Sequence, residues 1–284
     1  MAFLAALIVS ATLSGAAPLP GASLVVQGPA GGTVWSEHIA NPFVPAEGRA
    51  TQIYLPPDYS PSNRYPVLYL LHGFWGQPSS FVLALHLQDV ADELIRQGVV
   101  RPFIAVMPPG GPPTGSRQVR AQGEWAGSSE EYVVKTVVPW IDQHLSTIPD
   151  AQSRAIAGVS AGAFGAVDIA LRHLGVFGTA ESWEGYFHPF RDGPFAHASA
   201  ATLAAHDPVL LARKEASAIR SRKLRFFLST GGSHGAVERS WTFAFDRELR
   251  ALRIKDERWS QAPGTPAFGR HQLPAALEYA EPVN

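Results

Sequence analysis

One serine stands where a chain could make it a nucleophile. Ser160 is the centre of Gly158-Val159-Ser160-Ala161-Gly162, a G-x-S-x-G pattern lying directly after a short apolar run and before a stretch with helical spacing. At such a strand-to-helix corner the serine backbone is strained and its hydroxyl is lifted above the sheet edge, and flanking glycines avoid collisions with the neighbouring strand and helix. The chemistry this suits is attack on a carbonyl carbon, with the Ala161 N–H at the positive end of the helix as one donor to the developing oxyanion. A second donor is expected from the Gly-rich loop His72-Gly73-Phe74-Trp75-Gly76, at the Phe74 N–H, with His72 holding the loop. A serine hydroxyl also needs a base and a carboxylate to orient it, in the chain order serine, acid, histidine.

The elements that must position these groups are legible as alternating strands and helices. Residues 65–71 (YPVLYLL) form a continuously apolar run, as expected of a strand buried on both faces, and residues 103–107 repeat the pattern. Between them residues 81–97 have helical spacing and Gly98 ends it. Residues 129–145 read as a helix with Ser128 as N-cap, Glu130 and Glu131 suiting the dipole and Pro139 kinking it. Strands are expected at 154–157, 177–182, 224–229 and 258–262, and helices at 161–174, 240–252 and 273–280. Residues 33–39 and 49–55 read as two antiparallel edge strands.

Composition narrows the function classes. With 284 residues, 46% of them apolar and 17% charged, the chain can bury one large core. Lys plus Arg (23) and Asp plus Glu (24) nearly cancel, so no strong field would draw it onto nucleic acid. Cysteine is absent, which leaves covalent catalysis to oxygen or nitrogen and removes thiolate metal sites. The apolar opening run ends in Ser14-Gly15-Ala16-Ala17, the small residues of a signal-peptidase site, although no Lys or Arg precedes it. Residues 1–32 are therefore expected to be a signal-like or anchor segment and linker, and residues 33–284 a single domain, secreted or attached to the cell surface or cell wall.

Four stretches carry a family resemblance: YPVLYLLHGFWGQPSSF, VVPWIDQHL, RAIAGVSAGAFGAVDIAL and FGTAESWEGYFHPF. In them the chain resembles the esterases that include S-formylglutathione hydrolase, feruloyl and acetyl-xylan esterases and the secreted mycolyltransferases. The resemblance implies an α/β-hydrolase fold, a mostly parallel central sheet with helices on both faces, and carboxylic-ester chemistry without metal or cofactor. It implies an acid in the loop TGGSHGAVERS, where Glu238 is the first carboxylate and Asp246 a reserve further on. The base should follow the last strand. The family's Gly-His pair is missing there, so either His271 reaches Ser160, or His234 substitutes, or the base is lost. Trp75, Trp183 and His188 are the implied pocket-lining residues, with core packing the alternative for each tryptophan.

Two functions follow as expectations. The first is a serine esterase, or an acyltransferase using the same acyl-serine, with Ser160, Glu238 and His271 as its triad, Phe74 and Ala161 as its oxyanion hole, and a small-molecule or carbohydrate-linked ester as substrate. The second, resting on the displaced histidine, is a catalytically impaired surface protein that binds carbohydrate or matrix ligands.

Overall fold

The computed structural model describes residue 19 and residues 21–40, 50–74, 76–110, 125–230, 235–260 and 272–282. Within them the strands are β1 (Ser23–Gln27), β2 (Thr33–Glu37), β3 (Thr51–Leu55), β4 (Val67–Leu71), β5 (Ile104–Met107), β6 (Arg154–Val159), β7 (Thr179–Trp183), β8 (Arg225–Thr230) and β9 (Asp256–Ser260). They form one sheet in the order β1-β2-β3-β5-β4-β6-β7-β8-β9. The pairs from β1 to β5 are antiparallel, and β5, β4, β6, β7, β8 and β9 run parallel. The expected mostly parallel central sheet is present.

The continuous apolar runs reflect burial on both faces, because successive strand residues point to opposite sides. Val67, Tyr69 and Leu71 of β4 join one core layer, with Ile156 of β6. Leu68 and Leu70 join the other, with Ala155 and Ala157. On the first face lie α5 (Ala161–Arg172), α7 (Pro208–Ser221), α8 (Gly235–Ala251) and the helical stretch α3 (Ser128–Glu131), a π-helix over Tyr132–Val137, and α4 (Val138–His144). On the second lie α2 (Leu87–Arg96), preceded by the short α1 (Ser80–Leu83), and α9 (Leu273–Ala280). Helix α6 (Ala200–Ala205) precedes α7. No helix among the described residues is long and apolar enough to cross a membrane.

Four local expectations are corrected. Residues 18–32 do not serve only as linker, because Leu19 is buried and β1 pairs with β2. This edge strand is mostly exposed, which explains its weak hydrophobic pattern. Buried Asp92 of α2 ties it down by accepting from the Ala30 and Gly32 amides at 2.8 and 3.1 Å and from the Tyr54 hydroxyl at 2.8 Å. The helix read over 81–97 is broken at His86, whose φ of 52° is left-handed. Pro139 produces a π-helix rather than an isolated kink: the Val138 amide bonds the Val133 carbonyl, five residues back, so Pro139 enters within the first turn of α4. Finally, Ser128 is the first residue of α3, and the residue before it is Gly127 at φ 62°.

Candidate active site

Ser160 occupies the corner between β6 and α5, in the middle of the parallel part of the sheet. Its φ of 56° and ψ of −115° are a strained conformation for a residue with a side chain, and the residue is exposed. Strain of this kind persists only when the surroundings fix it. Here the Ser160 amide donates to the Trp183 carbonyl of β7 at 3.0 Å, and its carbonyl accepts from Ala163 and Phe164 at 3.0 and 3.1 Å. The glycines are needed for closeness: a Cβ on Gly158 would meet the Gly162 backbone, and one on Gly162 would meet the Leu71 carbonyl.

The other early-chain loop arrives at the same corner. A Cβ on Gly73 would lie 2.9 Å from the Val159 carbonyl and 3.3 Å from Ser160 Cβ, so the Gly73 backbone is packed directly against the serine. His72 is buried: Gly110 N–H donates to its Nε2 at 3.2 Å, which leaves Nδ1 to donate to the Gly73 carbonyl at 3.0 Å. Trp125 Nε1 donates to the His72 carbonyl at 2.9 Å and its ring meets the imidazole edge-on. This imidazole holds the loop. Ala161 N–H is the first amide of α5 and has no acceptor within the helix, the condition required of an oxyanion donor. The Gly73 backbone, one residue before Phe74, thus lies against the corner at which Ser160 and Ala161 open α5.

Strand register sets which residues share the edge that carries Ser160. Val159, Trp183 and Ser229 are aligned on β6, β7 and β8, so the next residues, Ser160, Glu184 and Thr230, share the carboxyl edge of the sheet. Glu238 lies in the first turn of α8, which follows β8, and is half-buried. One turn further, Trp241 packs with Tyr186 (6.5 Å between centroids) and Phe190 (5.8 Å), and Tyr186 stacks on Phe164 of α5 at 5.0 Å. An aromatic ledge therefore connects the helix of Glu238 to the helix of Ser160. Glu184, which the sequence reading passed over, is buried one strand nearer to the serine, with φ 58° and its amide on the Ser229 carbonyl at 2.9 Å. A carboxylate directly after a strand that pairs with the Ser160 strand was the available signal.

Other expected site residues are placed elsewhere. Trp183 is fully buried and donates from Nε1 to Glu181 at 2.8 Å, so it belongs to the core and cannot line an open pocket. Burial pushes the Glu181 carboxyl up to about 8. His188 is exposed and pairs with Asp207 at 2.7 Å. Asp246 is buried against Asp256, the first residue of β9, and pairs with Arg250 at 2.9 Å. The parallel strands put that end of the sheet roughly 13 Å from the edge carrying Ser160, which removes Asp246 as a reserve acid. Trp75, His234 and His271 lie outside the described residues.

Comparison with known proteins gives the family and the fold. The Esterase family model, described as "Putative esterase", matches residues 46–260. An endo-1,4-beta-xylanase/feruloyl esterase of Xylanibacter ruminicola is 31% identical over 152 residues, 51% of this chain and 20% of that protein. An esterase of Mycobacterium tuberculosis is 33% identical over 134 residues, 47% of this chain and 28% of that protein. The chain thus spans well under a third of the length of these curated relatives. Among solved structures, a ferulic acid esterase superposes with a TM-score of 0.73 at 21% identity, covering 88% of this chain and 96% of the other, which shows the α/β-hydrolase fold. By the extent of the family match, the chain belongs to the Esterase family.

Proposed function

We propose that the protein is a serine carboxylic-ester hydrolase working through an acyl-serine. The observation that carries the reading is the strained, exposed Ser160 at the start of α5, with the Gly73 backbone against it. Ser160 Oγ attacks the ester carbonyl, and the Ala161 and Phe74 amides hold the oxyanion. His271 takes the serine proton and returns it to the leaving alcohol, and Glu238 orients the imidazole. Water then resolves the acyl-serine. A sugar hydroxyl in place of water would make the same intermediate an acyl donor.

The substrate class follows from two supports. Feruloyl esterases recur among the relatives, and the exposed Phe190 and half-buried Trp241, backed by the buried Tyr186, offer ring faces on which an aryl group or a pyranose can pack. A carbohydrate-linked ester fits both. The small-residue site at Ser14 to Ala17 supports export of the chain.

A fluorophosphonate probe tests the proposal. Labelling should map to the peptide containing Ser160 and disappear in Ser160→Ala, together with turnover of aryl acetates and feruloylated sugars. Turnover surviving in Ser160→Ala would end the acyl-serine reading.

A further inference from the structure

Away from the ester site, α5 carries a second group of chemistry-bearing side chains. Asp168 is fully buried, and its Oδ2 lies 2.7 Å from Nδ1 of His206, the residue that ends α6. Glu130 of α3, also buried, comes close enough that one ligand atom from each of Glu130, Asp168 and His206 lies within 4.8 Å of the other two. Beyond Glu130 stand two donors on the same oxygen, Oε1: His173 Nε2 at 2.7 Å and Arg172 Nε at 2.9 Å. Phe195 closes the far side of His206, with ring centroids 5.0 Å apart.

Asp168 Oδ1 is the telling atom. It is buried and no hydrogen-bond donor reaches it, while the other oxygen of the same carboxylate has one imidazole. Native structures seldom leave a carboxylate oxygen sealed without a partner, because desolvation of the charge is then uncompensated. Arg172 and His173 place their hydrogen bonds on Glu130, so among the described residues the one hydrogen-bond partner of the Asp168 carboxylate is His206, with the Arg172 charge and the second carboxylate acting on it from further off.

We infer that Glu130, Asp168 and His206 form a structural site for a first-row divalent cation of the zinc class. Two carboxylates and an imidazole are a mixed N/O donor set of the kind such ions take, and both oxygens of Asp168 can share in the coordination. Calcium and magnesium favour all-oxygen shells, which this set is not. Arg172 and His173 fill the outer role of orienting the ligating carboxylate. The ion would replace the proton shared by His206 and Asp168, and would join α3, α5 and the end of α6 behind the helix that begins at Ser160. Asp168 is eight residues along α5, roughly 12 Å from the serine, so the site has no part in the ester reaction.

The experiment uses the whole chain, stripped with a chelator and dialysed against Zn²⁺ or Co²⁺. Elemental analysis should find one tightly held equivalent, Co²⁺ should give visible d–d absorption, and the melting temperature should rise on loading. Asp168→Asn and His206→Gln should each lose at least tenfold in affinity, together with the absorption and the thermal shift, while stripped wild type still labels with fluorophosphonate. If either variant fails to fold, X-ray absorption on the loaded wild type should show a mixed N/O shell containing one imidazole. No tight equivalent in wild type, or equal uptake by both folded variants, overturns the site and leaves the hydrogen-bonded pair of His206 and Asp168 beside Glu130. Loss of probe labelling alone would bear on the ester reading and not on this one.

Discussion

Gly73 is packed so closely on Ser160 that a methyl group added to it would meet the Val159 carbonyl at 2.9 Å and the serine Cβ at 3.3 Å. Gly73→Ala must therefore push the Phe74 amide away from the serine. We expect kcat to fall about 10²–10³-fold, the range for losing one oxyanion donor, with KM changed little. Steady-state kinetics on an aryl ester, with a melting curve to confirm folding, checks this. An alanine variant with normal kcat would remove the loop from the oxyanion hole.

The orienting carboxylate can be assigned by two conservative variants. Glu238→Gln should lower kcat by about 10²–10⁴, the cost of an imidazole without its carboxylate, and His271→Ala should cost at least about a hundredfold. Glu184→Gln is the informative comparison, because Glu184 directly follows β7, the strand paired with the one that leads into Ser160. A full-sized loss in Glu184→Gln with normal turnover in Glu238→Gln would transfer the role to Glu184.

Asp92 should matter far more than its chemistry type suggests. It accepts from two amides of the β1–β2 turn and from the Tyr54 hydroxyl, and is fully buried. Removing it leaves three donors without their acceptor, so Asp92→Ala should lose about 3–5 kcal/mol. Urea denaturation measures this, and limited proteolysis should show earlier cleavage before Thr51. A loss within about 0.5 kcal/mol, as for an ordinary surface change, would refute the clamp.

Stability should depend on pH through Asp256. Burial first, and then Asp246 bonded to it, raise its carboxyl from 3.8 to about 6. The folded state therefore holds this proton more tightly than the unfolded chain does. Between those two values the folded protein binds more protons, so stability falls as pH rises through the window and stays lower above it. Asp256→Asn should raise the urea midpoint at pH 8 more than at pH 4. An equal effect at both would contradict the shift.

Local patterns made much of the fold readable. β4 is apolar at every position and β6 at every position after Arg154, because helices cover both faces, and that burial is written in consecutive residues. The Ser160 corner was readable because the glycines required for backbone approach sit two residues to either side. β1 escaped notice because an exposed edge strand needs little apolar periodicity, and its anchor, Asp92, lies far along the chain. Helices α6 and α7 also went unread, although Ser199 caps the first through the Thr202 amide and Asp207 caps the second ahead of Pro208.

The sequence alone determined the strained Ser160 corner, the helix behind it and the layered sheet, since each is specified by neighbours within one strand or one turn. Only the tertiary structure decided which distant groups meet: Gly73 against Ser160, Glu184 beside it, Trp183 in the core, Asp246 at the wrong edge, and Asp168 beside His206 and Glu130. Register between strands and packing between helices bring such groups together, and neither leaves a spacing in the chain from which the meeting could be read.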